Sequence, residues 1–126
     1  MLLAVCQALD IKSSSVPRIA TPFGGGLGLQ GEVCGAVSGG VIAIGLVYGR
    51  DDAEKRTDKD AAYRKAARFM DKFQSVNGNV RCRDLLELDI GTEGGLNMYR
   101  TQNKKGQVCM VAVSSAVRIM MEMMEE

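Results

Sequence analysis

Histidine and tryptophan are both absent from this 126-residue chain. Without imidazole there is no general base that titrates near neutral pH, no histidine metal ligand and no histidine to hold haem. Serine-histidine and cysteine-histidine triads are excluded with it. Any chemistry must come from Cys, Asp, Glu, Lys, Arg, Tyr or a bound cofactor. An excess of either charge is lacking too: Lys and Arg total 16, Asp and Glu total 15, and the net charge is +1. That balance leaves no electrostatic footprint for nucleic acid, so no nucleic-acid partner is expected. The densest charge, over residues 51–72, alternates seven basic with six acidic side chains and reads as a solvated helix face.

Long hydrophobic runs are scarce. Residues 33–48 are apolar or glycine except Ser38, but 16 residues fall short of the roughly 18–20 that cross a bilayer. A buried helix is the expectation there, with no stable membrane insertion. The start, Met1-Leu2-Leu3, carries no basic segment of the kind that opens a signal peptide. Four cysteines in a chain of this length are too few for a disulfide-dense secreted scaffold, so a reducing cytoplasm is the expected location.

What remains is enough to fold. An apolar fraction of 46% suits one globular domain spanning residues 1–126. The expected class is all-α, a compact multi-helix bundle around a central Gly-rich apolar helix. Residues 2–9 read as a first helix, and Ser13, Ser14 and Ser15 can cap a second short one running to about Ala20, with Pro17 in its first turn. Residues 31–48 form the central helix, since 18 residues are too many for an ordinary strand. Gly31, Gly35 and Gly39 recur every four residues along it, which would let another helix backbone approach closely. Residues 51–73 are amphipathic, with Ala62, Ala66, Phe69 and Phe73 on one stripe widened by Tyr63, Ala67 and Met70. A short helix carries Cys82, Leu85 and Leu86, residues 90–95 turn, and residues 105–123 close the chain as a helix.

Gly26-x-Gly28-x-x-Gly31 matches a dinucleotide-binding fingerprint by letter. The strand that should precede it is missing, because residues 18–23 include Pro22. The cysteines are more informative. Cys6, Cys34, Cys82 and Cys109 are separated by 28, 48 and 27 residues, so no CxxC pair exists. Cys34, Cys82 and Cys109 each fall near the expected start of a helix, where unpaired amides favour thiolate. Arg81 and Arg83 flank Cys82 and push the same way. The competing reading is that a free cysteine is a small buried hydrophobe.

The stretch Gly31-Glu32-Val33-Cys34-Gly35-Ala36-Val37-Ser38-Gly39, preceded by Phe23-Gly24-Gly25-Gly26-Leu27-Gly28, resembles the C-GCAxxG-C-C family of suspected redox-active proteins. Cys82-Arg83-Asp84-Leu85-Leu86 is similar to that family's third cysteine motif, and Cys109 stands where its fourth is expected. The resemblance implies a small helical protein that works beside an oxidoreductase or a transporter-associated partner. It also implies a prosthetic group such as an iron-sulfur cluster or another thiolate-bound metal. The family's first cysteine would lie just upstream of Met1, so the native start is expected there and Cys6 is an extra, dispensable thiol. Cys34, Cys82 and Cys109 are then the candidate catalytic or metal-ligating residues, with Gly31, Gly35 and Arg83 clearing or lining space for a cofactor. Two mechanisms stay open: thiolate ligation of a metal or cluster, and a dithiol-disulfide couple. The reading from a different class is a non-catalytic helical scaffold, with a second copy of the chain as partner through the Gly-rich helix.

Overall fold

The computed structural model describes residues 1–126, and about 70% of them are helical. In chain order the elements are α1 (Leu2–Ala8), a 3-10 helix (Arg18–Phe23), a one-turn segment α2 (Gly24–Leu27), α3 (Gly35–Tyr48), α4 (Arg56–Asn77), α5 (Cys82–Leu86), α6 (Glu93–Thr101), a π-helical turn (Lys105–Cys109) and α7 (Met110–Met124). No sheet forms. The one β-type pairing is an isolated antiparallel bridge between Val33 and Arg81. The all-α expectation therefore holds, while several boundaries move.

The largest move is at the front of the central helix. Residues 31–34 are extended, and α3 begins only at Gly35. Gly31 thus lies outside the helix, and only Gly35 and Gly39 share a face of it. Each glycine meets a different neighbour instead. A Cβ on Gly35 would sit 3.2 Å from the carbonyl oxygen of Phe23, and one on Gly39 would sit 3.0 Å from the Cβ of Met1. Gly40, which the four-residue spacing passes over, receives the ring of Phe69. Ala36, Val37, Ala43 and Ile44 are buried around these contacts, but Leu46 and Val47 near the helix end are exposed. The helix is central for its first two-thirds and superficial thereafter.

α4 starts at Arg56, five residues later than its charge pattern suggests, with Asp58 in its first turn complementing the helix dipole. It ends at Asn77, and Gly78 at φ +90° supplies the stop. Phe69 and Phe73 are completely buried. Tyr63 is not part of the buried stripe: it is 67% exposed, beneath the Lys59 ammonium 5.5 Å away. The Asn77 side chain joins α4 to α7, its Nδ2 donating to Ser115 Oγ at 2.9 Å. α7 answers with Ala112, Ala116, Ile119, Met120 and Met123 in the same core.

The π turn and α7 together run unbroken over Lys105–Met124, 20 residues that are long and apolar enough to cross a bilayer. In this fold that helix supplies one wall of the core. The serine-capped helix expected before Ala20 is replaced by turns and the 3-10 helix, which holds Pro22 inside it. The expected turn over residues 90–95 is shorter than read, because α6 starts at Glu93. Thr92 caps it, its Oγ1 accepting from the Gly95 amide at 3.0 Å.

Candidate functional site

Two backbone segments far apart in sequence form the base of the site. Cys34 N–H donates to the Val80 carbonyl at 2.8 Å, and Cys82 N–H donates to the Glu32 carbonyl at 2.6 Å. Val33 and Arg81 face each other between these two bonds. In an antiparallel register this puts Cys34 and Cys82 on the same side of the clip, diagonally offset. Arg83 N–H extends the clip to the Gly31 carbonyl at 3.0 Å. The clip is why residues 31–34 leave the helix: their amides and carbonyls are spent on residues 80–83.

A left-handed run closes over it. Gly25, Gly26, Leu27, Gly28 and Leu29 all have positive φ, from 59° to 68°. Gly26 is buried against the clip, with its carbonyl accepting from Glu32 N–H at 2.9 Å. A Cβ there would lie 2.7 Å from the Cβ of Cys82. The glycine cluster that resembled a nucleotide fingerprint is thus a cap on the cysteine segment, with no strand before it.

Cys109 arrives from the other side, at the last position of the π turn, and Tyr99 of α6 lies against it with its hydroxyl 3.7 Å from the sulfur. π-turns insert one extra residue into a helix and recur at functional sites. Cys34, Cys82 and Cys109 all line one cavity of about 350 Å³. Leu86, Ile90, Leu96 and Val113 supply its apolar walls, Gly25, Gly26 and Gly35 line it with bare backbone, and Lys105 contributes the single charged side chain. Cys6 lies elsewhere, buried in the main core beside Leu2 and Val5.

The electrostatics run against the expected thiol activation. Cys34 is the N-cap of α3 but makes no capping hydrogen bond through its side chain. Burial raises its pKa, and the amides of Ala36 and Val37 offset that only in part. Cys82 is pushed from 9.0 up to about 11, first by burial and then by the neighbouring Cys34 and Cys109 sulfurs, with Arg83 a lesser opposing influence. Arg81 is engaged elsewhere, its guanidinium 3.2 Å from Glu32 across the clip. Cys109 stands at the last position of the π turn, with more than a helical turn before it, rather than at a helix start. Tyr99 rises from 10.0 to about 12, from burial and then its contact with Cys109.

The remaining expected residues separate into two roles. Gly35 lines the cavity, whereas Gly31 and Arg83 lie outside it. Arg83 packs on Gly31, where a Cβ would sit 3.1 Å from its Nε, and donates through Nη2 to the Gln30 carbonyl at 3.0 Å. Its Nε is buried without a partner. These two residues brace the clip. Sequence reasoning missed Tyr99, which α6 brings in; Lys105 of the π turn lines the same cavity.

The donor chemistry fits a metal only in part. Three thiols face one space, yet no three Cys, Asp or Glu side chains are gathered closely enough to hold an ion. The arrangement does not assemble a site for a single metal ion.

A helical domain whose distant cysteines converge on an apolar cavity belongs to the class of small thiol proteins. Comparison narrows this further. The chain belongs to the family described as "Putative redox-active protein (C_GCAxxG_C_C)", whose profile matches residues 1–123. It is also similar to a protein of Archaeoglobus fulgidus named "Uncharacterized protein", 26% identical over 131 residues that cover 98% of this chain and 81% of the relative. No solved structure matches it.

Proposed function

We propose that the chain carries out thiol-disulfide redox chemistry in this cavity, with Cys34 and Cys82 as the exchanging pair and Cys109 with Tyr99 as the flanking group. One observation carries the reading: three cysteines separated by 48 and 27 residues line one apolar space, while the fourth is buried elsewhere. An inert role as small hydrophobes gives no reason for that convergence.

The reaction is an exchange with an external disulfide. The Cys34 thiolate attacks one sulfur, the external S–S bond breaks, and the departing sulfur takes up the proton that Cys34 lost. The Cys82 thiolate then attacks the Cys34 sulfur of the mixed disulfide and releases the second external thiol, which takes up the Cys82 proton. Two protein thiols are oxidised to a cystine and one external disulfide is reduced to two thiols.

The test is peptide mapping of the folded protein after equilibration over a series of thiol-disulfide buffers. A reversible Cys34–Cys82 cystine with Cys6 still reduced is the expected result. Absence of any cystine among Cys34, Cys82 and Cys109 in protein that remains folded would overturn the reading. Stoichiometric iron and sulfide protecting the same thiols would replace exchange by cluster ligation.

A further inference from the structure

We infer that the disulfide exchanged in this cavity is a small, largely aliphatic molecule with a single anionic end, rather than a hydrophilic peptide disulfide. This rests on the thiol-exchange reading and specifies its substrate class. The walls contributed by Leu86, Ile90, Leu96 and Val113 offer no hydrogen bonds, and Tyr99 is the one hydroxyl among the lining residues. A molecule with several charges would lose its hydration there without replacement partners. About 350 Å³ is at the small end of ligand cavities, which run from roughly 300 to 1,000 Å³.

The lining is also one-sided in charge. Its side chains include no Asp or Glu and one cation, Lys105. Lys105 is exposed and takes part in none of the chain's three ion pairs, Arg68–Glu126, Lys72–Glu126 and Arg81–Glu32. It therefore offers an uncompensated ammonium to a ligand whose other end is among the sulfurs. An aliphatic acid bearing a cyclic disulfide satisfies both demands. Its carboxylate pairs with Lys105 and its chain covers the apolar wall. Its ring S–S bond is the one that breaks: the two ring sulfurs take up the two electrons and two protons given up as Cys34 and Cys82 form a cystine.

The experiment uses the full chain, fully reduced, with excess lipoic acid, its neutral amide, or oxidised glutathione, and follows the Cys34–Cys82 cystine by quenched mass spectrometry. Lipoic acid should oxidise the pair at least about ten-fold faster than oxidised glutathione. Lys105→Gln should lower the ratio of the acid rate to the amide rate by about two- to five-fold, and Lys105→Glu should lower it further. Equal or faster reaction with glutathione, or an acid-to-amide ratio unmoved by Lys105→Gln, overturns the substrate class. Hydroxyethyl disulfide, small and neutral, separates the two levels. If it forms the cystine while lipoic acid does not, the substrate class falls and the exchange chemistry stands. If no disulfide forms the cystine in folded protein, both fall.

Discussion

Gly26 and Gly28 form a matched pair for testing how the cap holds the cysteine segment. Both have positive φ, +68° and +59°, so an alanine at either position carries the same backbone penalty of about 1–2 kcal/mol. Their surroundings differ completely. A Cβ at Gly28 meets nothing within 4 Å, whereas one at Gly26 meets the Glu32 amide nitrogen at 2.5 Å, the Cys82 Cβ at 2.7 Å and the Glu32 carbonyl oxygen at 2.8 Å. None of the three can be relieved by rotating a flexible side chain, because all belong to the clip itself. Overpacking of this kind adds about 1–3 kcal/mol. Gly28→Ala should therefore cost about 1–2 kcal/mol and Gly26→Ala about 2–5 kcal/mol, read from urea unfolding midpoints at unchanged slope. Gly26→Ala should also change the labelling rate of Cys82 in the native state, while Gly28→Ala leaves it alone. Equal destabilisation by the two variants would refute the argument that the cap bears directly on Cys82. So would a Cys82 labelling rate that Gly26→Ala leaves unchanged.

The main core offers a simpler check: Phe69→Ala empties the space beside Gly40 and should cost about 3–5 kcal/mol in the same unfolding assay. Because the folded pKa of Cys82 is raised, the folded state keeps a proton that the unfolded state loses. The resulting stability is present below pH 9 and lost as pH climbs from 9.0 to about 11; Cys82→Ala should flatten that part of the stability profile. Spectrophotometric titration should find one tyrosine ionising near 12 and lose that component in Tyr99→Phe. A titration curve unchanged by Tyr99→Phe would contradict the burial of the hydroxyl against Cys109.

What the sequence disclosed was what local pattern controls. The apolar run around Val37 and Ile44 and the Phe69–Phe73 stripe announced their helices, because the spacing of side chains is written along the chain. Cys34, Cys82 and Cys109 could be singled out by the same means. α6 was hidden by Gly94 and Gly95, each costing about 1 kcal/mol of helix propensity, and Tyr99 was hidden with it. The clip was unreadable for another reason. Its hydrogen bonds join residues about fifty positions apart and leave no periodic mark on either segment. The direction of the thiol pKa shifts was misjudged because helix-start amides and adjacent arginines are local, whereas burial exists only after folding. Arg81 is the clearest instance: adjacent to Cys82 in sequence, it spends its charge on Glu32.

The π turn at Lys105–Cys109 has a consequence for how this helix tolerates change in length. An α-helix advances about 100° of azimuth per residue, and a π turn absorbs one residue without passing that rotation on. The side chains of Lys105 and Cys109 are thereby phased to the cavity, and those of Ala112, Ala116 and Ile119 to the core, along a single continuous rod. Removing one residue from the turn would straighten the helix and break that agreement. Either the thiol would swing away from Cys34 and Cys82, or the core stripe would rotate toward solvent. Between residues 105 and 109 the number of residues is thus constrained more tightly than their identities.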